Sequence, residues 1–303
     1  METVYLEANQ TISQAIKNAP ENAQIMLEGK VYREKIIVDK RGITLRGVNG
    51  KTKIVYGDYA KKIHADGMEY NTFRTYTVNV VAPDVTFCDL CIENDSYEPK
   101  TKGQAVALSV YGDNFRAENV TLKSAQDTLF SGPLPDDLIF RYDGFLPDGE
   151  RYFEGEARSY FKDCTVYGSV DYVFGCGTAY FSHCKLVNIN DGRSVQYVCA
   201  PAHSLKQKRG FTFYKCEFTS EEGLKAFVYL ARPWRDYGKC SFISCKLNNR
   251  VIGELFDRWN DTVRYLTARF EVFDTPHEKM VTWGKTLTQG EAENLVSEVE
   301  KFC

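Results

Sequence analysis

Short runs of alternating apolar and polar residues recur through the middle of this chain. Phe161-Lys-Asp-Cys164 returns as Phe181-Ser-His-Cys184, Phe213-Tyr-Lys-Cys216 and Phe242-Ile-Ser-Cys245, in steps of 20, 32 and 29 residues. An apolar residue stands two positions after each cysteine: Val166, Leu186, Phe218 and Leu247. That period of two is a strand with one buried face. Looser copies pass through Val85-Thr86-Phe87 and Asn114-Phe115. Repeats of roughly 20 to 50 residues built from short strands indicate a solenoid or a propeller. Irregular spacing and the lack of a four-strand blade pattern favour a β-helix, whose coils bury their inner side chains against one another. Its cysteines and aliphatics should then form inward ladders. A β-sandwich with accidental internal similarity is the alternative.

The pattern changes at both ends. Thr11-Ile-Ser-Gln14 reads as a helix capping box, with Ile12, Ala15 and Ile16 on one helical face. Thr288-Gln-Gly-Glu291 is a second box, before Ala292, Leu295, Val296 and Val299 at helical spacing. Helices here would seal the open ends of the core and the unpaired strand edges. Residues 132–156 break the strand rhythm with three prolines and clustered Asp and Gly, and they carry Phe140, Tyr142, Phe145, Tyr152 and Phe153. A long loop on a regular solenoid is often functional.

Bulk properties narrow the classes. A chain of 303 residues can form a large core, and regular all-β folds of this length occur as single domains, so 1–303 reads as one domain. A net charge of −3 argues against nucleic-acid binding driven by overall charge. No apolar run is long enough for a membrane span. The start, Met1-Glu-Thr-Val-Tyr-Leu-Glu7, lacks the basic and apolar regions of a signal peptide, which predicts a cytoplasmic protein, or an extracellular one if a leader has been removed. Ten cysteines without an export signal read as reduced thiols, several of them small buried hydrophobes. Cys88-Asp-Leu-Cys91 has no second pair at zinc-site spacing, so packing is its default reading.

Two acidic residues stand out inside apolar, strand-like stretches: Asp127 in Gln126-Asp-Thr-Leu129 and Asp171 in Asp171-Tyr-Val-Phe-Gly175. A carboxylate there is costly unless paired, hydrogen-bonded or protonated. Two of them suggest an acid and a base brought together by the fold. Other chemistries have little support. There is no G-x-S-x-G elbow and no P-loop, none of the four histidines lies in a triad motif, and Gly175-Cys-Gly177 lacks the third glycine of a dinucleotide fingerprint.

Five segments together resemble the pectin methylesterase (pectinesterase) family. Gly29-Lys-Val-Tyr32-Arg-Glu34 is similar to its early motif, and Gln104-Ala-Val-Ala-Leu108 to its second. Gln126-Asp-Thr-Leu129 resembles the third, and Asp171-Tyr-Val-Phe-Gly175 the fourth with conservative changes. Leu230-Ala-Arg-Pro-Trp234 resembles the fifth, with Ala231 at a usual glycine. Their order is the family's order. The resemblance implies a right-handed parallel β-helix that hydrolyses methyl esters of galacturonate in pectin or methylated oligogalacturonides. It implies no metal or organic cofactor, no nucleic-acid or membrane partner, and a monomer. Asp171 would be the nucleophile and Asp127 the general acid and then base. Gln104 and Gln126 would stabilise the oxyanion, and Arg232 would hold Asp171. Phe130, Phe174 and Trp234 would line the sugar groove, while Tyr32 and Glu34 are structural.

The chemistry suits these residue types: a carboxylate nucleophile must be ionised and its partner must start protonated. Each residue also has a plainer reading. Gln104 can be a satisfied buried amide, Arg232 an ion-pair partner, and the aromatics packing residues. Ala231 could disturb the arginine's loop if that position needs a positive φ. The 132–156 loop is longer than in plant-type relatives, which bears on substrate length and groove shape. A β-helix lyase or hydrolase acting on the glycan backbone, and a non-catalytic pectin-binding solenoid, remain as alternatives.

Overall fold

A computed structural model describes residues 2–7, 9–135, 137–138, 157–248, 250–251, 254–260 and 262–301. Among them the chain winds as a right-handed parallel β-helix of three sheets with 11, 8 and 7 strands. Successive coils add one strand to each sheet in turn: Phe115–Glu118, Thr121–Lys123 and Leu129–Ser131 in one coil, Arg158–Lys162, Thr165–Gly168 and Val170–Gly175 in the next. Every ladder between neighbouring coils is parallel. Most of the 132–156 loop, with its five aromatics, lies outside the described residues.

The repeat seen in the sequence becomes a stack. Phe161, Phe181, Phe213 and Phe242 are in register on adjacent strands and fully buried. Their rings lie nearly parallel, with centroids 4.8, 4.6 and 5.1 Å apart. Aromatic pairing of this kind adds about 0.5–1.5 kcal/mol per pair beyond the area buried. Cys164, Cys184, Cys216 and Cys245 form the neighbouring inward ladder as buried free thiols. Before each cysteine the chain turns from one sheet to the next through a left-handed residue: Asp163, His183, Lys215 and Ser244 all have φ of 52–56°. Asp89 and Asn119 hold the same turn in earlier coils, and Asn119 Nδ2 donates to Asp89 Oδ1 at 2.7 Å. Asp and Asn tolerate this conformation best, whereas Lys and His accept it because the stacked strands on both sides impose it.

At the N-terminus the helix Ile12–Asn18 caps the core as expected. Thr11 and Gln14 form the capping box, and Ile12, Ala15 and Ile16 are buried. Glu34 fastens that cap by accepting from the backbone N–H groups of Ile12 and Ser13, both at 2.9 Å. Tyr32 is structural too, its hydroxyl accepting from the Glu28 N–H. The C-terminal helix Gln289–Lys301 begins at its predicted box, where the Thr288 N–H donates to Glu291 at 2.8 Å. Its placement differs from the expected seal. Ala292, Leu295 and Val299 pack on the outward side of the 11-stranded sheet, against Ile243, Tyr160 and Tyr180. Those outward apolar side chains need cover, and Leu255, Phe256, Phe270 and Trp283 already close the last coils.

The seven-stranded sheet is covered on its outer face as well. A second apolar cluster there joins Phe73, Tyr76, Val106, Tyr111, Phe130, Leu134, Leu138, Phe174 and Ala200. This explains why Leu108–Val110, Leu129–Ser131 and Val170–Gly175 are buried at every position and do not alternate. Cys88 and Cys91 flank a corner between two sheets, and burial pushes the Cys91 thiol up to about 11, so neither acts as a ready nucleophile. No helix among the described residues is long and apolar enough to cross a membrane.

Candidate active site

The coil geometry brings the two aspartates together. Leu129 pairs with Val173 across adjacent strands, and the aspartates stand two residues before each. Both have left-handed backbones, φ 62° at Asp127 and 51° at Asp171. The Asp127 N–H donates to the Val170 carbonyl at 3.1 Å, and Gln126 bridges to Val170. Between Val170 and Val173 the register to the following strand shifts, as in a β-bulge. Such kinks re-aim side chains and occur at functional sites. One coil earlier, the Ala105 N–H donates to the Gln126 carbonyl, which sets Gln104 on the same row.

Around them opens a cleft of about 420 Å³ lined by Gln104, Gln126, Asp127, Asp171, Arg232 and Trp234, with Phe73, Phe174 and Trp259 among its walls. A comparable cavity lies beyond Arg235, but the chemistry-bearing residues converge only here. Arg232 donates from Nε and Nη2 to the two oxygens of Asp171, at 2.8 and 2.6 Å. Its guanidinium is held between the rings of Tyr197 and Trp259, 3.8 and 3.9 Å from their centroids. Bidentate pairing and flat stacking are what arginine offers and lysine does not. Ala231 does no harm to this arrangement: it lies in the strand Phe227–Ala231, fully buried, with no positive φ.

Asp127 has the opposite environment. Burial raises its pKa well above the usual carboxylate range, and the charge of Asp171 raises it further. Arg232, Arg193 and the Gln126 side chain oppose this without reversing it. One carboxyl is thus held as an ion pair and its neighbour as an acid, the division that two-carboxyl chemistry requires.

Of the residues singled out from sequence, Gln104, Gln126, Asp127, Asp171, Arg232, Trp234 and Phe174 meet at this cleft. Phe130 does not. It is fully buried under Phe73, Tyr111 and Phe174, with centroids 5.0–5.3 Å away. It supports the floor of the cleft and cannot touch a sugar. Phe174 is only 2% exposed and meets Trp234 edge-on, so the half-buried Trp234 offers the larger face. Sequence reasoning missed Trp259, Phe73, Tyr197 and Arg193. Trp259 is one of three tryptophans in the chain, its only individual signal.

A parallel β-helix carrying an arginine-clamped carboxylate beside a buried carboxyl of raised pKa has the groups that two-carboxyl hydrolysis needs. The chain belongs to the Pectinesterase family, whose sequence model matches residues 6–133 and 150–283. It is similar to pectinesterase 31 of Arabidopsis thaliana, 26% identical over 285 residues that cover 90% of this chain and 80% of that one. Its fold is similar to pectin methylesterase PemA from Erwinia chrysanthemi, with a TM-score of 0.81, 23% identity, and coverage of 98% and 96% of the two chains. A pectin methylesterase crystallised in complex with a hexasaccharide matches with a TM-score of 0.80 and 22% identity over 98% of this chain and 96% of its own.

Proposed function

We propose that this protein hydrolyses methyl esters of galacturonate units in pectin or in methylated oligogalacturonides, releasing methanol and leaving a free carboxylate. The observation that carries this reading is the pairing of Asp171, clamped by Arg232, with Asp127, kept protonated by burial, at the floor of one cleft. The bound hexasaccharide of the similar pectin methylesterase supports a sugar chain as the occupant.

A carboxylate oxygen of Asp171 attacks the ester carbonyl carbon, and the carbonyl electron pair moves onto oxygen. Amide N–H groups of Gln104 and Gln126 stabilise that oxyanion without introducing a fixed cation. As the tetrahedral species collapses, the C–OCH₃ bond breaks and the Asp127 proton passes to the departing oxygen, giving methanol and an acyl anhydride on Asp171. Asp127, now ionised, takes a proton from water. The resulting hydroxide adds to the acyl carbon, the bond to Asp171 breaks, and the uronic acid leaves and loses its proton to bulk water, with Asp171 again a carboxylate and Asp127 again protonated. Trp234 offers an aromatic surface to the sugar rings, Trp259 flanks Arg232 at the cleft wall, and Arg232 keeps the nucleophile oriented throughout.

Methanol release from methylated oligogalacturonides tests this directly, with Asp171→Asn as the comparison at matched melting temperature. Release by the wild type and its loss in the variant is the expected result. Undiminished release by the variant would remove Asp171 as nucleophile, and no release by the wild type on oligomer or polymer would remove the esterase reading.

A further inference from the structure

Gln126 poses a problem the catalytic reading leaves open. A glutamine amide has a donor end and an acceptor end of almost the same shape, and only the donor end can serve an oxyanion. Arg193 Nη2 lies 3.0 Å from Gln126 Oε1. A guanidinium has donors only, so the amide end facing it must be the oxygen. The NH₂ end is then the one left for the cleft.

Arg193 is itself held from behind. Its backbone N–H donates to Asp191 Oδ1 at 3.2 Å, and its Nε stands 3.3 Å from Asp191 Oδ2. Asp191, with a side chain only 6% exposed, accepts at Oδ1 from Gln196 Nε2 at 3.3 Å. Gln196 is fully buried and accepts from Asn188 Nδ2 at 2.9 Å. Asn188, also fully buried, accepts from the Tyr172 hydroxyl at 3.4 Å. Tyr172 is the neighbour of Asp171 in the same strand and points into the core. Asp191 and the Ile189 carbonyl only accept, so they turn the Gln196 NH₂ toward themselves; Gln196 Oε1 then fixes the Asn188 NH₂, and the Tyr172 hydroxyl, able to donate or accept, completes the chain.

We propose that Arg193 is a positioning residue for ester hydrolysis: it locks the Gln126 amide with its N–H groups toward the oxyanion and is locked in turn by the buried chain Asp191–Gln196–Asn188–Tyr172. This rests on the esterase reading above. None of these five residues belongs to the motifs that carry the reaction except Tyr172, which sits inside one without touching the cleft. Arg193 also faces Asp127, together with Asp171, Arg232 and Gln126, and its charge opposes the upward displacement of that carboxyl.

The test is a double-mutant cycle on methanol release, with kcat and KM measured across pH. Arg193→Met removes the donor and the charge while keeping bulk. It should lower kcat by about 10- to 100-fold, somewhat less than deleting an oxyanion donor outright, with KM changed less than about threefold. The same substitution in a Gln126→Ala background should change kcat by less than about threefold, because there is no amide left to orient. Arg193→Lys should recover part of the loss. The alkaline limb of kcat should move to higher pH in Arg193→Met and stay in place in Arg193→Lys, since the cation beside the acid is lost only in the first. A merely structural role would give equal losses in both backgrounds and no movement of that limb, which would overturn the proposal. A rise in KM at constant kcat would also overturn it, assigning Arg193 to substrate binding. If Arg193→Met does not fold, the cycle is run with Arg193→Leu, which also removes both the donor and the charge, under the same criteria. A wild type that releases no methanol would reject the esterase reading itself, whereas an active wild type with an indifferent Arg193→Met rejects this inference alone.

Discussion

Acidifying the protein should test the histidine that ties the turn after the active-site strand to the 11-stranded sheet. His203 is fully buried, with Nε2 2.9 Å from the Gly177 carbonyl and Nδ1 accepting from the Lys239 N–H at 3.1 Å. A carbonyl only accepts and an N–H only donates, so the ring is fixed as the neutral Nε2–H tautomer. Protonation would set a new N–H against the Lys239 N–H. Burial accordingly lowers its pKa from 6.5 to about 4, with the Arg269 and Lys239 charges adding to the shift. Because the folded value lies below the unfolded one, this contribution is fully present above about pH 6.5 and is lost as pH falls toward 4. A difference of two to three pH units corresponds to about 3 kcal/mol. Asp127 acts with the opposite sign, since its raised pKa favours the folded state at low pH.

His203→Gln separates the two, because it leaves Asp127 in place and cannot titrate. At pH 7.5 the variant should be less stable by about 1–3 kcal/mol, from one buried donor left without an acceptor. Urea unfolding at half-unit steps from pH 7.5 to 4 should show the wild type losing about 3 kcal/mol more than the variant, so that the two converge or cross near pH 4. Parallel curves over that window would refute the reasoning, because the histidine would then carry no differential proton affinity.

Two further outcomes follow from packing. Phe213→Ala opens the middle of the stacked ring ladder and should cost about 3–5 kcal/mol in urea unfolding while leaving KM unchanged. Gly175→Ala should lower both stability and methanol release, by at least about 2 kcal/mol in the first. Gly175 has φ of +121°, and a Cβ there would meet the Ser131 carbonyl oxygen at 2.1 Å, so the strand carrying Asp171 must shift. Full activity in Gly175→Ala would mean that the site tolerates that shift.

The inward ladders were readable because their physics is local. A phenylalanine, a turn and a cysteine at fixed offsets specify one buried face, and stacking repeats it. The two aspartates were readable for a related reason: a carboxyl among apolar residues announces a cost that something must offset. Phe130 was placed in the sugar groove by resemblance, and what overrules that is how its sheet is covered. The outer face of its sheet is covered by Phe73, Tyr111 and Leu134, which arrive from three separate turns and loops. Trp259 and Tyr197 were invisible as site residues because their role is to flank Arg232, a contact across coils with no sequence period.

The chain by itself determined the coil, its N-terminal cap, the existence but not the place of its C-terminal helix, and the chemical kinds gathered at the site, since each rests on short-range periodicity or on a residue type placed where it is costly. Only the tertiary structure decided which carboxyl is clamped by arginine and which has its pKa raised by burial, which aromatics line the cleft, and which end of Gln126 faces Arg193. Those depend on burial and on partners such as Arg193 and Arg232, and burial is a property of the stacked coils and not of any one of them.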